Sequence, residues 1–259
     1  MSLATQVYEE FTKRGTGIKD PKVKDAIKMI SNIDYRLLPE DDIFIEALKY
    51  LAENIDVLLE SEELFRTSVF RIAFEALMTS TTYYSMLEDS IRRLKIPGYA
   101  AIVDVNSGTG VAVEVAARYH SNMIIASDPF DENLESVEER ATRQNINVKL
   151  LKADLESLGR KVGEPLGAML LVTPYTWFIP IERRISKAYT LLESKGVFLM
   201  ITPYTTETGT NPLQPFLYAL KGAPLSSISN ISLRLREEGF TKIKIEEKGL
   251  LAVVRGYKP

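Results

Sequence analysis

Cysteine is absent from the 259 residues. That removes disulfides, thiolate catalysis and cysteine-ligated metals. Histidine occurs once, at His120. A histidine-rich metal site is therefore excluded, a Ser-His-Asp relay has only that residue to draw on, and no metal is expected. No apolar run approaches the ~18 residues that a membrane-spanning helix needs. The first residues, MSLATQVYEE, lack the basic-then-apolar pattern of a secretory leader, so a cytoplasmic protein is expected. There is no basic excess either: Lys+Arg total 32 against Asp+Glu 35, a net charge of -3. A chain whose main partner is a nucleic-acid backbone usually carries a positive surplus, so a small-molecule partner is expected over nucleic acid. What is plentiful is apolar material, 45% of the residues against 26% charged, enough for a full core and too much for a disordered chain. Few thermolabile residues and abundant Ile, Glu and Lys suit a thermophile.

The chain divides near residue 97. Residues 1–95 read as helices, forming one region, and 96–259 as a second. In the first region Asp20-Pro21 opens a helix with Val23, Ile27 and Ile30 on one side. Pro39-Glu40-Asp41-Asp42 reads as a helix start, acidic in its first turn. It is followed by a stripe of Ile45, Leu48, Leu51, Ile55, Leu58 and Leu59 at helical spacing. A further helical pattern from Glu62 to Leu94 breaks at Thr79-Ser80-Thr81-Thr82, and Ile96-Pro97-Gly98 stops it. Such stripes need a surface to bury against. The region is expected to pack over the carboxyl edge of a sheet as a lid, or to make a homodimer contact.

After residue 97 short apolar runs alternate with helical patterns. Strands are expected near 100–105, 123–128, 148–152, 168–173 and 197–202, with helices between them. Asp131 reads as the cap of one helix and Gly196 as the glycine just past the end of another. Continuous apolar strands alternating with helices mean a parallel sheet covered on both faces. At the end, 240–247 and 250–257 are joined only by Lys248-Gly249. A connection that short holds no crossover helix, so this pair must be antiparallel. The fold class is α/β: a Rossmann-like, mostly parallel seven-stranded sheet with an antiparallel C-terminal hairpin, plus the N-terminal helical region.

Chemistry concentrates where the first strand runs through Asp104-Val105-Asn106-Ser107-Gly108-Thr109-Gly110 into a helix. A turn of small residues lets a ligand approach the backbone, and the helix N-terminus offers unpaired N–H groups and partial positive charge. The second strand ends at Asp128, which can accept both hydroxyl hydrogen bonds of a ribose. It is expected to face an open crevice. The third strand ends at Asp154, placed to accept from an adenine amino group. Each alone is a tight loop, a helix cap or a surface acid; together they mark the ends of three consecutive parallel strands.

Over roughly residues 80–259 these features resemble the class I S-adenosylmethionine-dependent methyltransferases. Asp104–Gly110 looks like that family's nucleotide loop, an acidic residue followed by Gly-x-Gly-x-Gly. Asp128 matches the ribose ligand, Asp154 the adenine-contacting position, and the C-terminal hairpin the reversed last strand. The dinucleotide fingerprint fails instead, because Val113 stands where its third glycine belongs. The resemblance implies S-adenosylmethionine as cofactor, held by Asp104, Asn106, Ser107, Gly108, Gly110, Asp128, Pro129, Asp154, Leu155 and Thr173. It implies in-line methyl transfer to an acceptor that the residues do not identify. Asn106 replaces the family's first glycine; if that position needs φ > 0, Asn is the least damaging substitute. Two readings stand: an active methyltransferase, or a catalytically silent relative that binds a partner.

No catalytic residue is assigned, since the sulfonium is already activated and positioning does most of the work. Thr173-Pro174-Tyr175-Thr176-Trp177 partly resembles the Asn-Pro-Pro-Tyr motif of amino-methylating enzymes, without its asparagine. Tyr175 and Trp177 are either an aromatic wall for the substrate or packing under a loop. Tyr83 and Tyr84 read as core. His120 lies ten residues past Gly110, about 15 Å along a helix, and reads as a helix-end residue. The charged run Glu135–Arg143 reads as a solvated face.

Overall fold

The computed structural model describes residues 2–259. Seven strands form one sheet: β1 (Ala101–Val105), β2 (Ile124–Asp128), β3 (Val148–Lys152), β4 (Leu166–Leu171), β5 (Leu192–Pro203), β6 (Thr241–Lys248) and β7 (Leu251–Tyr257). Their order is β3-β2-β1-β4-β5-β7-β6. The first five are parallel to one another, and β7 runs antiparallel to both β5 and β6. Every residue of β1, β2 and β4 is buried, which is why these strands are apolar without alternation. The tight turn at Gly249, φ +61°, sends β7 back beside β6 and into the sheet. Strand β5 starts earlier than the sequence suggests. Gly196 lies inside it, not past a helix end; a Cβ there would stand 2.9 Å from the Glu193 carbonyl oxygen.

Twelve α-helices lie around the sheet among the described residues. The first six are α1 (Leu3–Gly15), α2 (Pro21–Ile30), α3 (Asp42–Glu53), α4 (Ile55–Glu60), α5 (Ser68–Thr79) and α6 (Thr81–Arg92). The rest are α7 (Val111–Tyr119), α8 (Asp131–Gln144), α9 (Leu158–Lys161), α10 (Ile181–Leu191), α11 (Gln214–Ala219) and α12 (Ile228–Glu238). None is long and apolar enough to cross a membrane, among the described residues. Several boundaries follow the residues that announced them. Asp41 caps α3 by accepting from Ile43 and Phe44 N–H. Ser80 separates α5 from α6, its Oγ accepting from Tyr83 N–H and donating to Leu77 C=O. Gly239 ends α12 in the left-handed region. Two departures are local. Asn54 divides the stripe 45–59 into α3 and α4, and Asp131 is the first residue of α8, not its cap.

One face of the sheet packs Val103, Met169, Phe198 and Val254 against Ile185 of α10 and Ile231 and Leu235 of α12. The other packs Ile102, Ala168, Leu199 and Val253 against Leu87 and Ile91 of α6 and Val115 of α7. That second cluster continues without a break through Phe70 and Leu77 of α5, Phe44 and Leu48 of α3, and Phe11 of α1. The helical region also reaches the carboxyl edge, where β1, β2 and β4 end: Tyr83 of α6 donates to Val172 C=O just past β4, and Phe70 of α5 packs on Tyr175. It is stitched there by residues 204–222, which leave β5 at the same edge. Tyr8 Oη donates to Pro212 C=O at 2.9 Å, Phe11 packs edge-on to Phe216, and Asp34 N–H and Asn32 C=O pair with Thr210.

Candidate ligand site at the carboxyl edge

The loop after β1 adopts left-handed backbone at every second residue: Asn106 at φ +54°, Gly108 at +54° and Gly110 at +82°. Each L-residue at such an angle costs roughly 1–2 kcal/mol, with Asn at the low end, so the sequence supplies glycine twice and asparagine once. The alternation turns the loop tightly into α7. A Cβ at Gly110 would stand 3.2 Å from Val137 of α8. The loop is pinned at both sides: Ser107 N–H donates to Ser127 C=O at 3.0 Å, and Thr173 Oγ1 donates to Asn106 C=O at 2.7 Å.

Asp104, at the end of β1, is fully buried, and neither carboxylate oxygen has a hydrogen-bond partner. Burial, and then the charge of Asp128, push its carboxyl well above the usual range. Asp128 is also 0% exposed; it does not face an open crevice as the sequence suggests. The loop and α8 close over it. Its Oδ2 accepts from Gly108 N–H at 3.0 Å, and its Oδ1 from Phe130 N–H at 3.0 Å and Asn133 Nδ2 at 3.1 Å. Burial raises it to about 6, against those three hydrogen bonds, which lower it. Asp154 is exposed beyond β3 and accepts from Ser157 N–H at 2.8 Å. Its partial burial is outweighed by Ser157, so its carboxyl lies below the usual value.

Asn106, Pro129, Asp154 and Leu155 line one cavity of about 370 Å³, together with Phe65 and Phe130. Gly108 and Tyr175 are not on it. Orphaned buried atoms occur along the same loop and its neighbours: both Asp104 oxygens, Asn106 Oδ1, Ser107 Oγ, Asn133 Oδ1 and Tyr175 Oη. Buried polar atoms without partners are uncommon, and this set consists of acceptors and hydroxyls. A larger cavity of about 620 Å³ lies between residues 36–39, α6 and the β6–β7 hairpin, and none of its lining residues carries an orphaned atom.

The two aromatic candidates separate. Trp177 is 2% exposed with its Nε1 donating to Ile201 C=O at 2.9 Å; it belongs to the core. Tyr175 lies directly over the loop, its Cε2 within 2.9 Å of where a Gly108 Cβ would be. Tyr83 Oη donates to Val172 C=O at 2.5 Å as core packing, Tyr84 lies 6.0 Å from the Arg118 guanidinium, and His120 Nε2 meets Ile91 C=O at 2.8 Å at the end of α7. The sequence reading missed the roof of the site. Phe65, Phe70 and Phe74 pack on Tyr175 with ring centroids 5.2–5.9 Å away. It missed Asn133, which holds Asp128. It also took Arg140 for part of a solvated face. Arg140 instead donates to Thr109 C=O at 2.8 Å and Glu114 at 3.0 Å, and pairs with Glu75 of α5. Thr109 Oγ1 donates to the same Glu75. The i,i+4 spacing of Phe70 and Phe74 was visible, but not what it covers.

No protein-family model matches the chain, and no curated protein matches its sequence. Solved structures do match in shape. An O-methyltransferase family protein from Burkholderia thailandensis superposes with a TM-score of 0.64 at 16% identity, covering 83% of this chain and 71% of that one. The pyocyanin biosynthetic protein PhzM gives 0.61 at 14%, covering 86% and 75%. Human N-acetylserotonin methyltransferase in complex with SAM gives 0.57 at 14%, covering 90% and 69%. At these identities the fold is what is shared: the chain has the fold of class I S-adenosylmethionine-dependent methyltransferases, helical N-terminal region included.

Proposed function

We propose that the protein is an S-adenosylmethionine-dependent methyltransferase acting on a small-molecule acceptor. One observation carries the reading: carboxylates end three consecutive parallel strands around a loop with alternating left-handed backbone, and the innermost one has both oxygens buried without a donor. The donor set fits this cofactor. Asp154, Asn106, Pro129 and Leu155 line the open cavity and suit an amino-bearing base, Asp104 has two buried acceptor oxygens without a partner for an ammonium group, and Asp128, which now accepts from Gly108 N–H, Phe130 N–H and Asn133, would exchange part of that set for vicinal hydroxyls. The bound cofactor supplies a methyl group on an already activated sulfonium. The chain's part is to orient it and exclude water, and the roof of Phe65, Phe70 and Phe74 suits that. No side chain is assigned as a general base. A small acceptor fits the enclosed carboxyl edge, whose cavities of about 370 and 620 Å³ are of small-molecule size. It also fits the net charge of -3 and the O-methyltransferases among the similar folds.

One observation favours the silent relative: the Tyr175 ring fills the space over Gly108. The test is transfer of labelled methyl from S-adenosylmethionine to a panel of small hydroxylated aromatic compounds. Label recovered in a small molecule supports the enzyme. Donor binding without label in any acceptor supports the silent relative. Label recovered in nucleic acid or protein overturns the proposed acceptor class.

A further inference from the structure

The tyrosine that argues against the cofactor is held in an unusual way. Its neighbours in the chain are anchored: Thr176 Oγ1 donates to Thr173 C=O at 2.7 Å, and Trp177 Nε1 to Ile201 C=O at 2.9 Å. Tyr175 itself makes no hydrogen bond of good geometry, with only the Asn133 side chain near enough to act on its hydroxyl as a donor. It is 4% exposed, and its Oη is buried without a partner. A ring placed there for packing alone is better served by phenylalanine, because a buried hydroxyl without a partner is a net cost. Its aromatic contacts are the faces and edges of Phe65, Phe70 and Phe74, which impose little directional restraint. Beneath it lies Gly108, a loop residue whose missing side chain leaves the space that the Tyr175 ring occupies. Beside the loop, the cavity bounded by Asn106 and Asp154 stays open.

Taking the loop as the S-adenosylmethionine site, we infer that Tyr175 is a displaceable internal occupant of that site: its ring fills the space over Gly108 in the closed protein and swings out when the cofactor enters. The half of the site bounded by Asn106, Pro129, Asp154 and Leu155 is preformed, and the half over Gly108 is made by moving one side chain. Apparent affinity is then reduced by the fraction of molecules in which the ring is out. The Tyr175 hydroxyl keeps that fraction from vanishing, because it leaves the closed state imperfectly satisfied.

The opposite effects of two substitutions test this. S-adenosylmethionine and S-adenosylhomocysteine are titrated calorimetrically into wild type, Tyr175→Ala and Tyr175→Phe. The fluorescence of Trp177, the chain's single tryptophan, is followed in parallel. Tyr175→Ala is expected to bind at least tenfold tighter, having nothing to displace. Tyr175→Phe is expected to melt higher without ligand and to bind several-fold more weakly. Wild-type Trp177 emission is expected to change on saturation, and that of Tyr175→Ala much less. Equal affinity in all three proteins, or weaker binding by Tyr175→Ala, overturns the displaceable ring and leaves the cofactor reading standing. Absence of binding by all three folded proteins overturns the cofactor reading itself. If Tyr175→Ala does not fold, the direction of the Tyr175→Phe change decides alone.

Discussion

Asp104 and Asp128 are acids from which the fold has removed water, and their charge is tolerated only in part. Asp128 binds its proton more tightly folded, at about 6, than unfolded, at ~3.9. Between those values the native state holds more protons than the unfolded chain, so this residue's contribution to stability falls as pH rises from about 4 to about 6 and is flat above. At about 1.4 kcal/mol per unit the loss is at most about 3 kcal/mol. We expect urea unfolding of Asp128→Asn and wild type to diverge in the variant's favour across that window. A difference constant with pH contradicts the burial of this carboxylate. Asn106 makes a second test. Its φ of +54° is one that glycine adopts freely, so Asn106→Gly should change stability by no more than about 1 kcal/mol and leave cofactor affinity equal or somewhat tighter. Weaker binding means the amide itself contacts the ligand. The place of Asp104, Asp128 and Asp154 at or just past three strand ends was legible because a strand end followed by small residues is a local pattern. The burial of Asp128 was not, because it comes from Asn133 and Gly108 closing over it, an arrangement no spacing announces.

Among the elements, α5 is the roof, and its attachment is uneven. Arg140 joins Glu75, Glu114 and the Thr109 carbonyl with all three side chains largely sheltered. Burial raises the Glu75 carboxyl in spite of Arg140. Arg66 and Glu132 pair at 2.6 Å with 45% and 40% of their side chains exposed. A sheltered network broken from one side costs about 1–3 kcal/mol, and an exposed pair about 0–1. We expect Arg140→Ala to lower stability by the larger amount and to speed hydrogen exchange in residues 68–79 while β1, β2 and β4 stay protected. Glu132→Ala should do neither measurably. Equal effects contradict the view that Arg140 holds α5 to the loop. The central strands were readable because burial on both faces writes itself as unbroken apolar runs. The break at Asn54 was not readable, because the apolar stripe continues through it; nor was Arg140, because a charged residue on a helix reads as solvated until its partner on another helix is placed.

At the scale of the whole molecule, the mostly parallel sheet and its reversed last strand followed from alternation and one two-residue connection. The second Thr-Pro-Tyr-Thr run, 202–205, hid something more: the segment after it interlocks with the N-terminal helices. Removal of residues 1–60 as a lid is therefore not expected to open the site cleanly. It uncovers Phe216, Leu213 and Leu217, and each large apolar side chain returned to water costs about 1.5–3 kcal/mol. We expect the truncated chain to be insoluble or unfolded by circular dichroism. A folded, monomeric product contradicts the continuous core. The central claim, that this carboxyl edge is an S-adenosylmethionine site, is tested most directly by thermal unfolding of the full chain against rising S-adenosylmethionine, with Tyr175→Ala alongside. Saturable stabilisation is expected, reaching about 2.7 kcal/mol at 100 times Kd, at lower concentration in the variant. No shift in either protein at millimolar ligand contradicts the claim.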